Sequence, residues 1–61
     1  MKYVDSSGTI YEIISDEYGH RRKETSVDGE IDYGSRWLDY SSAVESLCDL
    51  AGRLGWKPIK E

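Results

Sequence analysis

Only one stretch of this chain reads as an amphipathic helix, and it comes after a run of strand-forming segments. A single helix can cover one face of a sheet, so the opposite face is left to water or to another molecule. The helix is marked by Val44, Leu47, Cys48, Ala51 and Leu54 at three- and four-residue spacing, with Leu50 widening the apolar stripe. Ser42 and Glu45 form a capping box, in which the Ser hydroxyl accepts from the third helical N–H and the Glu carboxylate reaches back to the cap. Gly55 stands where a left-handed residue ends a helix, Arg53 suits the last turn, and Trp56 is placed to fold back onto that turn.

The segments before it alternate strand and turn chemistry. Residues 2–5 and 9–15 are rich in β-branched and aromatic types and flank Ser6-Ser7-Gly8, which predicts a hairpin. A two-residue turn at Ser7-Gly8 places Val4 opposite Tyr11 and Tyr3 opposite Glu12. Val4, Tyr11 and Ile13 then face the core, while Ile10 and Ile14 point away with Tyr3 and Glu12 beside them. Residues 16–20 form a second connection, and residues 21–27 a third strand. Asp28-Gly29 predicts a type I′ turn, after which Glu30, Ile31, Asp32 and Tyr33 alternate in a strand that ends or bulges at Gly34-Ser35. Trp56 to Ile59 reads as a final strand that Pro58 confines to an edge. The predicted fold is α+β: a three- or four-stranded antiparallel β-meander packed against one C-terminal α-helix, with a short final edge strand, as a single domain over residues 1–61.

A chain of 61 residues has little core to stabilise it, and a lone cysteine cannot close a disulfide within it. No Cys/His grouping supplies four metal ligands, so marginal stability is expected. Cys48, on the apolar stripe, reads as a buried, unreactive small hydrophobe. Nothing approaches the ~18 apolar residues of a membrane span. Met1 to Asp5 shows no secretory signal, which makes the cytoplasm the expected location. The net charge of −4 argues against broad attraction to nucleic acid or anionic membranes.

Catalysis is not expected. His20 falls in a predicted exposed turn and Cys48 on the helix, which leaves no nucleophile–base pair and no cofactor or metal cradle. Asp28, Glu30, Asp32 and Asp39 imitate the carboxylate spacing of a calcium loop, but Tyr33 replaces its required glycine. The five Tyr and two Trp, with no Phe, all carry a polar group and suit half-wet positions. Asp28, Glu30 and Asp32, with Tyr33, Trp37, Asp39 and Tyr40, form the candidate protein-binding surface. The expected function is a small acidic, non-enzymatic interaction module that binds, and inhibits or modulates, a partner protein with a basic surface. The alternative is a small DNA- or RNA-binding domain using His20, Arg21, Arg22 and Lys23 from a basic hairpin. A homodimer covering the second sheet face is compatible with either. The ending of a capped helix running into Leu54-Gly55-Trp56 resembles that of many small phage and bacterial domains, a likeness that implies no function.

Overall fold

Strands β1 (Lys2–Val4), β2 (Ile10–Asp16), β3 (Gly19–Thr25) and β4 (Ile31–Trp37) precede helix α1 (Tyr40–Leu54) and strand β5 (Lys57–Ile59) in the computed structural model, which describes residues 1–60. The first four strands form an antiparallel meander. After the helix, β5 pairs antiparallel with β1, giving one five-stranded sheet of order β4-β3-β2-β1-β5. This is the expected α+β arrangement with one C-terminal helix. The fifth strand is the short edge strand, and Pro58 occupies it, where a missing N–H costs no central ladder bond.

Two loops differ from the sequence expectation in the same way. Gly8 N–H donates to the Asp5 carbonyl and Gly29 N–H to the Ser26 carbonyl, while Asp5 N–H and Ser26 N–H donate across to Thr9 and Glu30. Each loop therefore holds three residues, 6–8 and 27–29, instead of two. The glycine takes positive φ (89° and 87°), and no non-glycine residue among those described does, so Asp28 is not in a type I′ turn. The extra residue slips β1 against β2 by one position. Tyr3 pairs with Tyr11 and Val4 with Ile10, so Tyr3 takes the core-side place expected of Val4.

Contacts with α1 identify the covered face. The Tyr3 hydroxyl lies 3.5 Å from Cys48 Sγ, the Tyr11 ring stacks on Trp56 at 3.7 Å, and His20 meets the Tyr40 ring edge-on at 5.3 Å. Trp56, tied by its N–H to the Ala51 carbonyl at the helix end, thus lays its ring on the sheet. Fully buried apolar residues are few: Ala43, Leu47 and Ala51, one side chain per turn of α1. Cys48 is only half-buried, between Tyr3 and the Met1 sulfur at 3.7 Å, and Leu54 is 62% exposed beyond the edge of the stripe.

The helix begins earlier than the capping box implies. Asp39 is the N-cap, and its Oδ2 accepts from both Ser42 N–H and Ser42 Oγ–H at 3.0 Å. Ser42 is therefore already the third helical residue, with its own N–H capped, and the first intrahelical bond runs from Ala43 N–H to the Asp39 carbonyl. The C-terminus follows expectation, with Gly55 at φ 74° and the Gly55 and Trp56 N–H groups both reaching the Ala51 carbonyl.

Strand β3 starts at Gly19, immediately after a two-residue turn. Arg21, Arg22 and Lys23 are strand residues of the β2–β3 hairpin, next to the sheet edge, as expected, while His20, expected in the connection, is already in the strand. Their side chains alternate between the two faces. The irregularity anticipated at Gly34-Ser35 is a bulge: the β3–β4 register shifts between Arg21 and Lys23, and the strand continues to Trp37. A Cβ on Gly34 would stand 3.0 Å from the Arg22 guanidinium, which would have to shift by a few tenths of an ångström to admit it.

Candidate protein-binding site

The acidic and aromatic residues singled out in the sequence are distributed along β4 and its two ends. A seven-residue strand spans about 20 Å. Asp28 and Glu30 lie at the loop end, while Trp37, Asp39 and Tyr40 lie at the helix end. The bulge puts Tyr33 and Trp37 on opposite faces: Tyr33 pairs with Lys23 away from the helix, and Trp37 pairs with His20 on the helix side. Asp39 is occupied as the helix cap and Tyr40 packs on His20, so these two have structural roles.

The loop end carries the more coherent feature. On the helix side of the sheet, beyond the reach of α1, a concavity of about 300 Å³ is lined by Thr9, Tyr11, Glu24, Ser26, Glu30 and Asp32, and it touches Ile31, whose place in the register is on the opposite face, at the β4 edge. Register explains the gathering, because Tyr11 pairs with Glu24 and Glu24 with Asp32, so consecutive strands point one side chain each to the same place. Glu24 is bound to Arg22 at 3.1 Å. Asp32 accepts only the N–H of Tyr33, and among the described residues neither Glu30 nor Asp32 has an ion-pair partner. Two carboxylates without counter-charges thus face a tyrosine floor. Among the described residues no three His, Cys, Asp or Glu side chains are close enough to hold a metal ion. Along the sequence Glu24 reads only as an acidic residue flanking the basic run and offsetting its charge, and only cross-strand pairing places it with Asp32.

Asp5 and Tyr11 hold this end of the sheet in shape. Asp5 Oδ1 accepts from Ser7 N–H at 2.8 Å and Thr9 N–H at 3.0 Å, and Oδ2 accepts from the Tyr11 hydroxyl at 2.7 Å. The Tyr11 bond, followed by the backbone bonds, lowers the Asp5 pKa below its usual 3.8. Burial, followed by the bond to Asp5, pushes Tyr11 up to about 12. Each shift has a defined sign. A raised tyrosine pKa stabilises the fold fully below the unfolded value of 10.0 and ceases to do so as pH climbs through about 12. A depressed carboxyl pKa stabilises above 3.8 and is lost on acidification below it. Urea midpoints should therefore fall on the alkaline side between these tyrosine values, and Tyr11→Phe should flatten that fall while lowering stability at neutral pH. An unchanged alkaline slope in Tyr11→Phe would show that the phenol–carboxylate bond is not made.

The basic run is divided between environments. Arg22 faces the helix side and is paired with Glu24, whereas Arg21 lies under the Tyr33 ring, 4.1 Å from its centroid, on the other face. His20 Nδ1 sits 2.7 Å from Ser15 Oγ, its cross-strand partner. That hydroxyl–imidazole pair was not foreseen, because the chain positions of residues 15 and 20 acquire meaning only once the Glu17-Tyr18 turn is known. No helix of the described chain is long and apolar enough to cross a membrane. No protein-family model matches the chain, and neither a characterised protein nor a solved structure does.

Proposed function

We propose that this protein is a small, non-enzymatic interaction module that takes a basic segment of another protein onto the concavity at the loop end of its sheet, and inhibits or modulates that partner by occupying its basic surface. The observation that carries the reading is the placement of Glu30 and Asp32, without an ion-pair partner among the described residues, with Glu24 around the Tyr11 floor. Carboxylates that gain an incoming Lys or Arg there recover charge pairing in a half-enclosed site, and the stacked Tyr11–Trp56 pair beside them gives apolar area to the cation's alkyl stem. The overall charge of −4 favours approach of such a partner. A cytoplasmic setting, with the single thiol of Cys48 reduced, belongs to the same reading.

Fluorescence anisotropy with a labelled oligo-arginine peptide tests it. Binding should weaken steeply as salt screens the pairs and should drop more than about tenfold when Glu30 and Asp32 are both changed to Lys. Asp28→Lys, on the same loop but outside the lining, should have a smaller effect. Equal binding by the wild type and the Glu30/Asp32 double variant would reject the site. A shift of short duplex DNA at about 0.1 M salt that disappears in an Arg21→Glu, Arg22→Glu variant would favour nucleic-acid recognition through residues 20–23 instead.

A further inference from the structure

The sheet face opposite α1 has the reverse charge of the molecule as a whole. Register places Val4, Ile10, Ile14, Ile31 and Ile59 there as an apolar band across all five strands except at β3, where Arg21 and Lys23 replace it. Five of the eight lysines and arginines share this face, namely Lys2, Arg21, Lys23, Arg36 and Lys57, against Glu12 and Asp16. Arg36 is spent on Asp16. Arg21 is in no ion pair among the described residues, although, behind the Tyr18 N–H bond and the Arg36 pair, its charge helps to lower the Asp16 pKa, and its Nε is a buried nitrogen with no acceptor, held against Tyr33. Ile31 and Tyr33 are 52% and 45% exposed at one margin. The face is therefore apolar along its middle and cationic at Arg21, Lys23 and Lys57.

We propose that this open face docks an acidic, amphipathic helical segment of a partner protein, with the partner's apolar stripe along Ile10, Ile14 and Val4 and its carboxylates on Arg21, Lys23 and Lys57. Charge decides among the candidate occupants. A second copy laid face to face would bring together two faces on which cations outnumber carboxylates, and an interface of like net charge is costly. A nucleic-acid strand would satisfy the cations, but the isoleucines offer its bases no stacking surface, and the Tyr33 ring is already covered on one side by Arg21. An acidic amphipathic helix uses both features, its apolar stripe on the isoleucines and its carboxylates on the three cations.

The test uses a labelled helix-forming peptide with leucines at i, i+3, i+4 and i+7 and glutamates on the flanks, alongside a scrambled peptide of the same composition and a single-stranded oligothymidylate. The wild type should bind the striped peptide at least about tenfold more tightly than the scrambled one, with affinity falling as salt rises. Lys23→Glu combined with Lys57→Glu should remove that binding, and so should Arg21→Gln. The first of these leaves the half-buried Arg21 in place, so loss of fold does not obscure the result, and circular dichroism verifies both. Glu30→Lys with Asp32→Lys, on the other face, should leave this binding unreduced. Equal affinity for the two peptides, tighter binding of the oligonucleotide, or a salt-sensitive dimer of the protein alone that competes with the peptide would each overturn the proposal.

Discussion

Leu47→Ala should destabilise the protein by about 2–4 kcal/mol, the range for deleting a buried leucine, and leave much of the chain unfolded in water. Leu47 is 1% exposed, and it is the largest side chain buried so completely. Its two companions in the core, Ala43 and Ala51, lie one turn away on either side and are too small to refill the space. The same truncation in a larger domain would be absorbed by a margin that 61 residues do not have. Urea melts by circular dichroism provide the measurement. A loss below about 0.5 kcal/mol, the usual value for a surface site, would mean that the helix does not pack on the sheet through this residue. Leu54→Ala, at an exposed position on the same helix, should stay near that surface value.

Gly19→Ala should be nearly as damaging, at about 3 kcal/mol, because two independent penalties fall on one position. Gly19 has φ 134°, a conformation that L residues rarely adopt, and a Cβ there would stand 2.5 Å from the Trp37 carbonyl oxygen. That oxygen is backbone, so relief requires β3 and β4 to move apart where His20 pairs with Trp37. Gly29→Ala separates the terms. With φ 87° and nothing within 4 Å of the added methyl, it bears only the conformational cost, expected to be about 1 kcal/mol. Should the two variants melt at the same urea concentration, the close approach of the Trp37 carbonyl would have no energetic consequence.

What could be read along the chain was whatever neighbouring residues decide between themselves. The apolar spacing of Val44 to Leu54 specifies a helix because residues three and four apart share a face wherever the helix is placed. Gly55 ends it for an equally local reason, and Pro58 excludes the final strand from the sheet interior whatever pairs with it. The α+β order follows from these features together with the strand chemistry of residues 2–37. The side on which each strand residue points was a different matter. Two-residue and three-residue hairpin loops both employ a glycine with positive φ, so Ser7-Gly8 and Asp28-Gly29 are compatible with either. A strand alternates with period two, and a loop longer by one residue therefore exchanges the whole of β1 between faces, Tyr3 for Val4. The bulge at Gly34 does the same within β4, separating Tyr33 from Trp37. Competition between caps was likewise settled in three dimensions, where the Asp39 carboxylate took the Ser42 hydroxyl as a donor. Only pairing across strands brought Glu24 beside Asp32 on one face and set Arg21, Lys23 and Lys57 on the other, because side chains distant in sequence become neighbours through register, which local composition does not encode.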